Sequence, residues 1–109
     1  MAFKVRYSEQ AVDDLDEILS YISNELYSPK AAERFYVAVG DKLDLLREHP
    51  YMFPLYHDDM LRVEGYRYAV IGNYLMFYLV DEDSADVCIA RILYGKLDIP
   101  SVFGFHREG

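Results

Sequence analysis

The sequence predicts an α+β domain: an N-terminal strand, an antiparallel helical hairpin, then a mainly antiparallel three-stranded meander, in the order β-α-α-β-β-β. Three observations predict it. Gly72-Asn73 separates two runs of β-branched and aromatic residues, 66–71 and 74–80, and Gly and Asn both tolerate the positive φ of a two-residue hairpin. Asp81-Glu82-Asp83-Ser84 makes a second, looser turn before the strand-like stretch 85–94. Upstream, two segments with helical apolar spacing are parted only by a few residues around Tyr27, which forces an antiparallel pair.

Phe3-Lys4-Val5-Arg6-Tyr7 alternates apolar and basic residues, the period of a half-buried strand. Ser8 stands at an N-cap position, where its hydroxyl accepts from an orphan N–H of the first turn. Ala11, Leu15, Ile18 and Ile22 then recur at helical spacing. The carboxylates Asp13, Asp14, Asp16 and Glu17 fall mainly on the opposite face of a helix of about five turns. Ser28-Pro29 restarts the chain with a cap and a proline suited to the first helical position. Ala32, Phe35, Val39, Leu43 and Leu46 form the buried stripe of the second helix, which Pro50 ends at His49. Gly40 costs about 1 kcal/mol relative to Ala and is expected to mark close approach to the first helix or the sheet.

Residues 51–59 combine loop formers with Tyr51, Met52, Phe53, Leu55 and Tyr56, so this loop is expected to fold back as a lid over the core edge. Residues 61–64 read as the lead-in to the meander, within its first strand, with Gly65 as a bulge or bend. In the middle strand Leu75, Phe77 and Leu79 share one face, and Tyr74, Met76, Tyr78 and Val80 the other. Both faces are apolar, so the face away from the helices is expected to expose a tyrosine-rich surface of the kind that marks an interface. A single domain spans residues 1–109, with 97–109 as a C-terminal tail.

The 109 residues carry 52% hydrophobic and 28% charged side chains, with eleven tyrosines and no tryptophan, as in a globular rather than a disordered chain. The longest apolar run, 74–80, has seven residues, against about 20 for a spanning helix. With no signal-like segment and a lone Cys88, read as a small core residue, a cytoplasmic setting is expected. The formal charge of −8 opposes bulk binding to nucleic acid or anionic membranes. Between Arg6 and Lys30 the chain has six acidic residues and no Lys or Arg. That stretch is either a solvated face or a docking face for a basic partner.

The residues themselves offer little catalytic chemistry. His49, His57 and His106 lack metal-ligand spacing and read as surface residues, and no cofactor or metal is expected. Neither a phosphate loop nor a nucleophile elbow is present. Arg67 and Arg91 each sit within an otherwise apolar strand. Such an arginine either pairs with a carboxylate, such as Glu64 or Asp86, or binds an anionic group of a partner bidentately.

Taken together, Val5 to Ser8, Ala11-x3-Leu15-x2-Ile18, Ser28-Pro29-x-Ala31-Ala32-x2-Phe35, Leu46-x3-Pro50, Tyr66-Arg67, Tyr74-x3-Tyr78 and Ile89-x-Arg91-Ile92-Leu93-x-Gly95-Lys96 resemble, in order and spacing, the RelE/ParE superfamily of bacterial type II toxin–antitoxin toxins. The resemblance covers about residues 3–103. It implies a growth-inhibiting toxin of the plasmid-stabilising kind, neutralised by a cognate antitoxin that folds along its surface. RelE-like members are ribosome-dependent mRNA endonucleases, and ParE-like members inhibit DNA gyrase. At the positions that would polarise or orient the scissile phosphate, this chain has Leu75, Leu97 and Phe103. Losing such a group typically costs about 10²–10³-fold in rate. ParE-like toxins often carry His or Arg where Tyr94 and Leu97 stand.

The resemblance therefore implies a toxin that acts by binding a protein target rather than as an enzyme. Its partner-binding candidates are Arg67, Arg91, Tyr94, Asp13, Asp14 and Glu17. The alternatives are an mRNA endonuclease using Arg67, Arg91, Lys96 and His106, or a degenerate toxin that retains only partner binding.

Overall fold

A computed structural model describes residues 2–105. Strand β1 (Lys4–Tyr7) leads into α1 (Glu9–Ser20), which continues as one π-helical turn, Tyr21–Glu25. Helix α2 (Pro29–Glu48) returns antiparallel to it. A short helix α3 (Asp59–Glu64) precedes β2 (Arg67–Ile71), β3 (Tyr74–Asp81) and β4 (Asp86–Tyr94), and α4 (Ile99–Val102) follows. The strands form one sheet in the order β1-β4-β3-β2, with β1 parallel to β4 and the other pairs antiparallel. The α+β architecture with its late antiparallel meander is as read from the sequence.

The caps act as their residue types dictate. Ser8 accepts from the Ala11 N–H at 3.0 Å, and Ser28 from the Ala31 N–H at 3.3 Å. Gly72 turns the β2–β3 hairpin at φ 59°. The hairpin helices bury Ala11, Leu15, Ile18, Phe35, Val39 and Leu46 against Ala69, Ile71, Met76, Tyr78, Val87, Ile89 and Ile92. This is the main core, and its strand residues alternate as a one-sided sheet face requires.

Several expectations are corrected. Residues 61–64 are helical, not the start of a strand. The buried Asp58 carboxylate accepts from the Met60 and Leu61 N–H groups at 3.0 and 3.3 Å. Gly65 is the left-handed C-terminal cap of α3 at φ 93°, not a bulge. Gly40 approaches neither the first helix nor the sheet, since a Cβ there would meet nothing within 4 Å. Cys88 is half-buried rather than part of the core.

The second sheet face is not the exposed tyrosine surface expected: Tyr74 and Tyr78 of β3 pack on the helix side, and the face away from the helices, with Leu75 and Phe77, is covered. Tyr56, Leu61, Phe77, Leu93 and Ile99 form a second core flanked by Tyr66, Tyr68, Leu75 and Phe103. The covering pieces are α3, α4 and the loop before α3, which does fold back. Its Leu55 bridges Arg67, and Tyr56 donates its N–H to the Tyr66 carbonyl. Tyr56 packs edge-on against Phe77 at 5.1 Å, and Phe103 against Phe77 at 5.3 Å. Among the described residues no helix is long and apolar enough to cross a membrane.

A trough at the junction of α1 and β4

Strand β1 pairs with β4 only as far as Tyr7 opposite Ile89, and β4 runs on to Tyr94. Beyond that point the edge of β4 is completed by side chains from the start of α1. The Ser8 hydroxyl donates to the Ala90 carbonyl at 2.7 Å. The Asp14 carboxylate accepts from the Ile92 N–H at 2.9 Å. It also accepts from Arg91 Nε at 2.8 Å and Arg91 Nη2 at 3.0 Å, a two-pronged ion pair with side chains only 11% and 19% exposed. The irregularity between Phe77 and Tyr78 places one extra residue in β4 between Ile89 and Arg91, where the strand meets α1.

Arg91 is thus paired, though with a helix carboxylate and not with Asp86 across the sheet. Asp86 takes Arg6 instead, at 3.1 Å. The hydrogen bond to Asp14 raises the Arg91 guanidinium further above its ordinary value. Asp14 is turned inward, unlike Asp13, Asp16 and Glu17, which remain exposed. Arg67 also departs from expectation, since it meets no carboxylate. Its Nη1 donates to the Phe53 carbonyl at 2.8 Å and the Tyr51 carbonyl at 3.3 Å, and the guanidinium lies 5.1 Å from the Tyr51 ring centre. Arg67 fastens the lid loop to edge strand β2, with β3 between it and β4.

Alongside α1 runs a trough of two adjoining depressions that share Tyr74 and Tyr94. The larger, about 720 Å³, lies between the hairpin tip (Tyr21, Ile22, Leu26) and the β2–β3 turn. The smaller, about 290 Å³, is bordered by Asp14, Glu17, Arg91, Leu97 and Val102. Tyr74 stacks edge-on with Phe35 at 5.2 Å and Tyr94 at 5.8 Å. Desolvation pushes the Tyr74 hydroxyl up from its ordinary pKa. The floor is aromatic, exposed Glu17 borders it and exposed Asp13 stands one turn before Glu17 on α1, whereas Asp16 lines a separate depression between α1 and α2.

The structure thus brings Asp14, Glu17, Arg91 and Tyr94 together and leaves Arg67 apart. Lys96 is exposed in the turn after β4. Leu75 and Phe103 belong to the second core, where Phe103 lies 4.7 Å from Tyr66, while Leu97 is 47% exposed at the rim of the trough. His106 lies outside the described residues. His49 and His57 are exposed, as expected of surface residues. Among the described residues no group of His, Cys, Asp and Glu is placed to hold a metal ion. Sequence reading missed the trough's aliphatic wall. Ile22 does close the apolar stripe of the first helix, and Leu26 follows it four residues on, which was the available signal.

Comparison with known proteins gives the family. Among curated sequences nothing matches the chain. Solved structures do match. The chromosomal ParDE toxin–antitoxin system of P. aeruginosa contains a chain of 17% identity, with 85% of this chain and 96% of that one covered at a TM-score of 0.67. The RelBE2 toxin–antitoxin complex of Mycobacterium tuberculosis gives 21% identity, coverages of 86% and 99%, and a TM-score of 0.55. A mutant of the E. coli toxin RelE in the free state gives 15% identity, coverages of 96% and 94%, and a TM-score of 0.63. These likenesses show the shared fold. The profile of the family described as the ParE toxin of the type II toxin–antitoxin system, parDE, matches residues 5–99. The chain therefore belongs to the ParE toxin family of type II toxin–antitoxin systems.

Proposed function

We propose that the chain is a toxin that acts by binding a protein target, with DNA gyrase the first candidate, and that a cognate antitoxin neutralises it. The observation that carries this reading is the state of the positions where phosphate chemistry would be expected. Leu75 and Phe103 are packed into an apolar core, and Leu97 offers only an aliphatic surface. Of the two strand arginines, Arg91 is neutralised by Asp14, and Arg67 is engaged by two backbone carbonyls. Phosphoryl transfer needs charge stabilisers free to meet the developing oxyanion, and these groups are committed to the fold. The formal charge of −8 further disfavours docking against ribosomal RNA.

The antitoxin reading is supported by the family and by the complexes in which its structural relatives occur. The trough suits a segment with apolar anchors for the Tyr21, Tyr74 and Tyr94 depression and with basic residues opposite Glu17 and Asp13. A supercoiling assay with purified gyrase tests the target. Inhibition by the free chain, relieved by a cognate antitoxin, is expected. Undiminished supercoiling at a large molar excess of the chain would remove gyrase as the target.

A further inference from the structure

We propose that the outward face of α2 is a self-association surface, on which a second copy of the chain packs its own α2 antiparallel about a two-fold axis. Lys30, Arg34, Val37, Asp41, Asp44 and Glu48 recur at intervals of three and four, so they form one stripe along the helix. All six are exposed, and the stripe lies opposite the buried Ala32, Phe35, Val39 and Leu46. The first part of the stripe is basic and the last part acidic. This order is the reverse of what the helix dipole favours, which is anions at the N-terminus and cations at the C-terminus. Stability of the isolated helix does not account for it.

A two-fold axis does. Antiparallel pairing sets Lys30 and Arg34 of each copy opposite the Asp44 and Glu48 region of the other, and brings Val37 and Asp41 to the centre. A uniformly basic or uniformly acidic partner would be repelled at one end of this face, whereas the chain's own copy is complementary at both. The middle of the face is built for close approach. Val37 is 53% exposed, and with Lys30, Arg34, Ala38 and Asp41 it lines a shallow depression of about 420 Å³, which Glu33 flanks at its basic end. Gly40 presents no side chain, and a Cβ there would meet nothing within 4 Å in its own chain. Asp44 also pairs with Arg47 one turn on, an exposed contact that is readily exchanged.

The strength is bounded by area. The helix is about 30 Å long and presents roughly 300 Å² along one face, well short of the ~800 Å² per partner of a standard interface. The dimer is therefore weak, and it leaves the α1 trough free for another partner.

The test is sedimentation equilibrium of the full chain over about 10 µM to 1 mM at low ionic strength. A monomer–dimer equilibrium is expected. Reversing the basic half (Lys30→Glu with Arg34→Glu), or the acidic half (Asp41→Lys, Asp44→Lys and Glu48→Lys), should weaken it about tenfold or more. Mixing the two variants should restore association, because one face is then acidic throughout and the other almost entirely basic. A wild-type chain that stays monomeric over the whole range overturns the proposal, as do variants that self-associate like the wild type. If the reversals instead weaken antitoxin binding while the wild type never self-associates, the face belongs to the antitoxin and the proposal fails.

Discussion

Asp14 and Arg91, 77 residues apart in sequence, are joined by two hydrogen bonds where α1 crosses the edge of β4, and the same carboxylate holds the Ile92 N–H. The carboxylate thus replaces the missing continuation of β1. Removing it strands a mostly covered guanidinium and a strand N–H at once. Asp14→Ala is expected to lower stability by about 2–4 kcal/mol in urea unfolding. The double variant with Arg91→Ala should lose less than the sum of the two single variants, by about 1–3 kcal/mol. Additive losses would show that the pair is not an energetic unit.

Tyr78 links packing to alkaline stability. Its ring is fully buried in the main core, and its hydroxyl lies beside the Phe53 backbone without a well-formed hydrogen bond. Burial pushes it up to about 12. The unfolded tyrosine titrates near ~10, so the unfolded chain gives up its proton first. The contribution is complete below about pH 10 and is lost as pH rises through about 12. Tyr78→Phe is expected to flatten the fall of the urea midpoint across that window while leaving stability at pH 7 within about 1 kcal/mol. An unchanged alkaline slope would assign it to the other raised tyrosines, Tyr7, Tyr56, Tyr66 and Tyr74.

Helix α3 depends on both of its ends. Asp58→Ala removes acceptors for two N–H groups and is expected to cost about 1–2 kcal/mol. Gly65→Ala is expected to cost about 1 kcal/mol, since φ is 93° while the nearest neighbour of the new Cβ, in Leu79, is 3.9 Å away. The penalty would then come from the backbone and not from crowding. Thermal unfolding of the two single variants checks both, and a Gly65→Ala chain as stable as the wild type would contradict the left-handed cap.

Much of this was legible in sequence because the signals were local. Gly72-Asn73 marks the hairpin, Ser8 and Ser28-Pro29 open the helices, and alternation in β3 assigns its two faces. The aspartate and glycine flanking α3 were also readable as a cap pair, but six residues are too few for helical periodicity to outweigh the adjoining strand. Of what covers the second face only the lid loop with Tyr56 was legible, because Ile99 and Phe103 join the Phe77 cluster only through tertiary packing. The carboxylate that holds Arg91 was hidden in the same way. Helical spacing does set Asp14, three residues after Ala11 and four before Ile18, beside the buried stripe and away from Asp13 and Asp16, but its partner Arg91 lies 77 residues on.

With Asp14 committed to Arg91, the acidic residues left exposed on the trough side of α1 are Asp13 and Glu17. Asp13→Lys with Glu17→Lys is expected to slow association with the antitoxin by about tenfold or more at low salt, with a smaller effect at high salt as screening grows. Stopped-flow binding across a salt series checks this. Affinity that is independent of salt for the wild type would rule out an electrostatic contribution.

The most direct test of the toxin's mode of action is to map RNA 5′ ends, transcriptome-wide, in cells where the chain is induced without its antitoxin. Growth arrest with no new cleavage sites in translated mRNA is expected of a toxin whose arginines are engaged by Asp14 and by backbone carbonyls. New 5′ ends within the codons of translating messages would contradict that account and make the chain an mRNA endonuclease.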